Sequence, residues 1–155
     1  MKKSLFLLFF ILFSVCSQAQ ELTWHTDVSK AADIAIKEKK PLLLFFTGSD
    51  WCGWCIRLQK EVLKTAEFAK WATENVVLVE LDFPRNTPQD GNLKAQNQQL
   101  MQMLQVRGFP TLYFVTPTKT TDNKVNLNNF GSQGYLAGGP TVWLESANQI
   151  MKNKQ

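Results

Sequence analysis

An apolar run at residues 42–46 ends in Thr47-Gly48-Ser49-Asp50 and delivers the chain into Trp51-Cys52-Gly53-Trp54-Cys55. Consecutive Leu and Phe residues bounded by Pro41 and by turn formers read as a short strand buried on both faces, the pattern of a parallel pairing covered by helices. After the turn, Cys55, Leu58, Val62, Ala66 and Ala69 recur at helical spacing with no proline among them, which predicts one helix from Cys52 or Gly53 to about Thr73. Two thiols three residues apart thus stand at a strand-to-helix junction, a placement suited to redox chemistry.

The rest of the chain supplies what such a strand needs on either side. Asp27 is placed to cap a helix over 28–39 that Pro41 stops, with Ala32, Ala35 and Ile36 near its inner face. A second apolar strand spans 76–83, and the order strand, helix, strand implies a right-handed crossover and a parallel pair. The loop 84–92 leads to a polar helix over 93–105 anchored by Leu93, Leu100 and Leu104. Segments 111–116 and 124–130, separated by the turn-rich 117–123, read as a hairpin. A last helix begins at Pro140 with Trp143, Ala147, Ile150 and Met151 as its apolar stripe. No internal repeat is present, and the elements add up to a single α/β domain, a central mixed sheet with helices on both faces.

The first residues read as an export signal. Lys2 and Lys3 precede an apolar stretch over 5–15 broken only by Ser14, and Ser17-Gln18-Ala19 offers small residues at the cleavage positions. The stretch is shorter than the roughly 20 residues a spanning helix needs. The expected division is a signal peptide at 1–19 and one domain at 20–155, placing the protein in the periplasm or outside the cell. A rival reading, lipidation at Cys16, is opposed by Val15 where a small residue usually precedes such a cysteine.

Without Lys2 and Lys3 the formal charge falls from +4 to +2, and the one basic cluster, Lys37, Lys39 and Lys40, reads as a solvated helix end. That leaves no electrostatic footprint for nucleic acid. Loss of the leader also removes Cys16, so Cys52 and Cys55 must act on each other or on another molecule. A closed zinc site needs four ligands and only His25 is left to join them, while a disulfide closing so short a loop would constrain little of the unfolded chain. His25 itself, far from the motif, reads as a surface or loop histidine. In an oxidising compartment exposed thiols persist only if something keeps donating electrons.

Two segments carry a family resemblance. Phe45-Phe46-Thr47-Gly48-Ser49-Asp50-Trp51-Cys52-Gly53-Trp54-Cys55 resembles the thioredoxin active-site loop, and Val106-Arg107-Gly108-Phe109-Pro110-Thr111-Leu112 resembles the segment with that family's cis-proline. The chain is similar to thioredoxin-fold proteins and, more narrowly, to the exported thioredoxin-like proteins of bacteria, over nearly the whole mature length. The resemblance implies a thioredoxin fold and a thiol:disulfide oxidoreductase that reduces or isomerises protein or peptide disulfides. It implies no bound cofactor and a membrane electron donor, and the protein is expected to act as a monomer. Two other readings stand beside it: a binding module or chaperone that grips unfolded chains by Trp54 and Phe109, and an oxidant that donates its own disulfide. The sequence departs from the family at three points. Phe46 stands six residues before the first cysteine, where a buried Asp is usual; Trp54 replaces a common Pro; Lys60 replaces the proline that kinks the active-site helix.

Only a thiolate attacks a disulfide, and a helix start aims unpaired N–H groups and the positive end of the dipole at Cys52, lowering its pKa. Cys52 is therefore the expected nucleophile, and Cys55, one turn on, the thiol that resolves the mixed disulfide. The resemblance implies a cis bond before Pro110 and a Phe109 main chain turned toward Cys52, where an extended substrate could pair; local sequence alone allows a plain loop. Trp51 is expected to pack as a lid and Trp54 to offer apolar contact to substrate. Glu80, in an otherwise apolar strand, is expected beneath Cys55 in the proton-transfer role that Phe46 leaves vacant, the alternative being an edge-facing surface carboxylate.

Overall fold

The structure, a computed structural model, describes residues 22–122 and 124–154. The expected leader, its cleavage point and Cys16 lie outside the described residues. Strands β1 (Trp24–His25), β2 (Leu42–Thr47), β3 (Val77–Asp82), β4 (Thr111–Lys119) and β5 (Val125–Gln133) form one sheet in the order β1-β3-β2-β4-β5. β3 lies parallel to both β1 and β2, whereas β4 runs antiparallel to β2 and to β5. The helices are α1 (Val28–Glu38), α2 (Gly53–Leu58), α3 (Ala66–Asn75), α4 (Gly91–Met103) and α5 (Gly139–Met151).

Strand alternation sorts the apolar side chains into two layers. Leu43, Phe45, Leu78, Leu112 and Phe114 face a cluster built with Cys55, Leu58, Phe68, Trp71 and Trp143 from α2, α3 and α5. Leu42, Leu44, Phe46, Val77, Val79 and Leu81 face the opposite way, onto Val28, Ala31, Ala32 and Ala35 of α1 and Leu100 of α4. Every residue of β2 is buried, as a central strand covered on both sides requires. The mixed sheet with helices on both faces is therefore the one expected.

Several elements differ from the sequence reading. The single helix over Cys52 to Thr73 is three pieces: α2, a π-helical stretch Gln59–Leu63, and α3. Thr65 makes the break. Its backbone is extended (φ −85°, ψ 155°), its hydroxyl donates to the Val62 carbonyl and accepts from the Phe68 N–H, and so it caps α3 afresh. The π-helical turn includes Lys60, the position where a proline kink was missing, and supplies a distortion of its own. Ile36 is 40% exposed, and Ala31 takes its place on the inner face of α1. His25 is not in a loop but in β1, too short a strand to leave a pattern, which pairs with β3 at Trp24 and His25.

The hairpin is longer than expected, with Pro117 inside β4 opposite Leu127 rather than in the turn. β2 pairs with β4 only as far as Val115, so Pro117 has no second neighbouring strand that would need its missing N–H.

Candidate active site at the start of α2

The chain leaves β2 through a tight turn in which the N–H groups of Trp51 and Cys52 both donate to the Gly48 carbonyl, at 3.3 and 2.9 Å. A Cβ at Gly48 would run into the Trp51 indole, so this close approach requires glycine. Two carboxylates pin the turn to the end of β3. Asp82 accepts from the Ser49 N–H at 2.8 Å and from its hydroxyl. Asp50 accepts from the N–H groups of Arg85, Asn86 and Thr87 at 2.9, 2.7 and 3.1 Å, and these bonds, led by that of Arg85, hold its carboxyl below the usual range. The Trp51 indole N–H completes the attachment by donating to the Phe83 carbonyl at 2.8 Å.

Cys52 is the N-cap of α2, with extended backbone, and its Sγ accepts from the Cys55 N–H at 3.2 Å. The two sulfurs are joined as a disulfide. Cys52 is 5% exposed and Cys55 is fully buried, so an incoming group can reach only the first sulfur. The same donors that hold this sulfur in the oxidised form would favour a thiolate in the reduced one.

On one side of the disulfide the Trp51 ring lies 5.9 Å from that of Phe109, which in turn lies 5.1 Å from Phe83. The Phe109–Pro110 bond is cis, and Gly134 lets the segment after β5 pass the Pro110 carbonyl, which a Cβ would approach to 3.1 Å. On the other side Trp54, 56% exposed, packs at a tilt on Tyr135 with ring centres 5.2 Å apart, and the Arg57 guanidinium sits 5.5 and 5.2 Å from those two rings. Glu61, within the π-helical turn, ties this group together by accepting from Arg57 Nε at 2.7 Å and from the Tyr135 hydroxyl at 2.6 Å. The Tyr135 bond first, then Arg57, lowers the Glu61 pKa, and the same bond raises that of Tyr135.

Glu80 pairs with Phe45 across β2 and β3, on the sheet face that carries the cysteines. It lines a cavity of about 110 Å³ with Trp24, Phe45, Gln59, Leu63 and Lys64. Burial, reinforced by Asp82 and opposed by Lys64, raises its pKa. The structure corrects the residue it was expected to replace. Phe46 lies on the far face against Phe83 and Tyr113, and Phe45, the cross-strand partner of Glu80, is the β2 side chain on the cysteine face.

The sequence reading missed Asp50, Arg57, Glu61, Arg85 and Tyr135 as members of this surface. The spacing of Arg57 and Glu61, four apart on a helix, was a readable signal; the Asp50 and Arg85 contacts join segments more than thirty residues apart and left none.

A thioredoxin-like domain family matches residues 28–121. The disulfide bond reductase DsbH of Chlamydia pneumoniae is 39% identical over 134 residues, covering 86% of this chain and 75% of that protein. A solved structure of a DsbH oxidoreductase superposes with a TM-score of 0.73 at 31% identity, over 86% of this chain and 87% of the other. A thioredoxin from Thermus thermophilus shares the fold, with a TM-score of 0.59 at 19% identity over 83% and 86% of the two chains. With its disulfide capping a helix at the end of a central strand, the chain belongs to the thioredoxin-like family and is one of its thiol:disulfide oxidoreductases.

Proposed function

We propose that this protein is an exported reductase of protein disulfides, able also to isomerise them, which draws its electrons from a membrane donor. The observation that carries the reading is the asymmetry of the two sulfurs: one reachable and held by a backbone N–H at a helix start, the other sealed behind it. In the reduced protein the Cys52 thiolate attacks a substrate disulfide, forming a mixed disulfide and releasing one substrate thiolate, which takes up a proton. Cys55, losing its own proton, then attacks Cys52 Sγ, expelling the second substrate thiol and leaving the Cys52–Cys55 disulfide. Two electrons pass to the substrate, and a donor must return them. Trp51, Trp54 and the Phe109-Pro110 main chain form the surface on which the substrate segment lies, by extended pairing and apolar contact. The leader over 1–19 supports export to the periplasm, where a reductant needs such a donor. The 39%-identical relative is named a disulfide bond reductase, which favours reduction over oxidation.

Equilibration against glutathione tests the direction. A reductase should show a potential on the order of −200 mV or lower, in the range of glutaredoxins and thioredoxin, whereas a value near about −120 mV would make the protein an oxidant.

Glu80 is proposed to receive the proton that Cys55 must lose, its raised pKa matching it to that task. Because its folded-state pKa lies above the unfolded value, ionising Glu80 costs stability. That cost is absent below the unfolded pKa, about 4.3, and develops as pH rises through the folded value. Glu80→Gln is therefore expected to melt higher than the wild type at pH 8 and no higher at pH 4, and to resolve a mixed disulfide more slowly near neutrality. Equal resolution rates would remove the proton-transfer role, and equal melting differences at the two pH values would remove the buried charge.

A further inference from the structure

The two tryptophans flanking the active disulfide each carry an arginine, and the two arginines are not equivalent. Arg57, beside Trp54, is neutralised by Glu61 at 2.7 Å. Arg85, with its guanidinium carbon 3.8 Å from the centre of the Trp51 ring, has no ion pair among the described residues. The two nearby carboxylates are committed elsewhere, Asp50 to the backbone N–H groups of residues 85–87 and Asp82 to Ser49. Arg85 is nonetheless held in place. Asp50 fixes its backbone, the Phe83 carbonyl fixes the edge of the indole beneath it, and the indole packs on Phe109, the residue before the cis bond.

An exposed guanidinium held over an aromatic face keeps its N–H fork free to meet an acceptor. Here the platform is continuous with Phe109, the residue against which the substrate main chain is proposed to lie. Among unmodified protein side chains, the ionised carboxylate is the acceptor whose two oxygens match both N–H groups of that fork. We propose that Arg85 is a specificity-determining residue, which selects disulfide substrates carrying an Asp or Glu side chain next to the cysteine that Cys52 attacks. The inference rests on the reductase reading and adds to it the charge of the preferred segment. The stacking contact holds the fork in place before the substrate arrives, so less rotamer freedom is lost on binding than at a free surface arginine.

The test uses two disulfide-bonded peptides identical except for Glu or Gln beside the attacked cysteine, with the ratio of their kcat/KM values as the readout. The wild type should favour the Glu peptide by about fivefold at low ionic strength, in the range expected of one partly exposed charge-assisted contact, and by less in high salt. Arg85→Gln should bring the ratio close to one, and Arg85→Lys, which keeps the charge and loses the planar fork, should fall between. A wild-type ratio near one, or a ratio that survives Arg85→Gln in a variant that melts like the wild type, overturns the proposal. Binding of the same peptides with their cysteines changed to serine, read by fluorescence anisotropy, reports the Glu preference without turnover. A protein that reduces neither peptide yet binds the Glu form more tightly would sink the reductase reading and leave the Arg85 assignment standing. One that shows no preference in either measurement would sink the assignment.

Discussion

Replacing Cys52 by serine should take the reduction of an insulin-type disulfide down to the uncatalysed background, whereas replacing Cys55 should stop turnover at a different point. The sulfur of Cys52 is the one an incoming disulfide can reach, and a serine hydroxyl in its place is neither ionised near neutrality nor able to enter thiol exchange. The one other thiol among the described residues, Cys55, is fully buried, so nothing substitutes for it. Cys55→Ser keeps the attacking sulfur, its helix-start position and the backbone donor at residue 55, and loses only the group that completes the exchange. The variant should therefore accumulate a covalent adduct through Cys52, visible as a mass increase equal to one substrate chain and reversed by a small thiol. Titration with an alkylating reagent in the reduced Cys55→Ser protein gives the companion result: Cys52 should react well below pH 8.5, the value for an unperturbed thiol. If Cys52→Ser retained turnover, or Cys55→Ser formed no adduct, the order of the two sulfurs would be wrong and the binding-module reading would gain ground.

The strand-to-helix junction that carries the two sulfurs was legible in the sequence, and the physical reason is local. A strand buried on both faces must be written as an unbroken apolar run, so the run 42–46 could hardly be anything else, and the helix after it had to start within a few residues. Glu80 was legible for a related reason, as one carboxylate in a strand whose neighbours are apolar stands out whichever way it faces. Distances that depend on loop geometry were not legible. Counting six residues back from Cys52 lands on Phe46, but the turn through Gly48 places Phe45, one residue earlier, on the cysteine face, and a shift of one residue reverses a strand's faces. The break at Thr65 was hidden because Val62, Ala66 and Ala69 keep helical spacing straight through it; only the hydroxyl that caps α3 marks the place. β1 was hidden because two residues carry no periodicity, although Trp24 reaches across to Phe45 and Phe68 at 5.8 and 6.4 Å and closes one edge of the core.

The unforeseen contacts share a function in the fold: they fix the surroundings of a disulfide whose own residues are few. Asp50 and Asp82 tie the active-site turn to the end of β3, and Glu61 ties Arg57 to Tyr135 beside Trp54. Asp50 and Glu61 lie on short polar segments that composition reports only as hydrophilic, and Asp82 closes an apolar strand. A turn fixed on two sides can present Trp51 and Trp54 in set positions whether the sulfurs are joined or free, which a loop attached only at its ends could not do.

Trp143→Ala should be the most damaging single truncation of the core, at about 3–5 kcal/mol. The side chain is fully buried, its ring packs edge-on to Phe68 at 5.7 Å and to Trp71 at 6.3 Å, and its N–H donates to the Gly134 carbonyl at 3.1 Å. Three elements lose contact at once: α5 itself, α3 through both aromatic partners, and the segment after β5 that passes Pro110. The cavity cannot collapse without moving a helix, and the Gly134 carbonyl loses a buried donor as well. Set against a total stability of about 5–15 kcal/mol, the loss should lower the melting temperature by something on the order of 10–20 °C. Trp54→Ala is the matched comparison. It removes the same side chain from an exposed position, where the contacts are with Tyr135 and Arg57 and the expected loss is about 1 kcal/mol or less. Urea titration of the two variants measures both losses. If Trp143→Ala proved no more costly than Trp54→Ala, α5 would not be the lid on this core, and the active-site layer would have to be held by β2 and α3 alone.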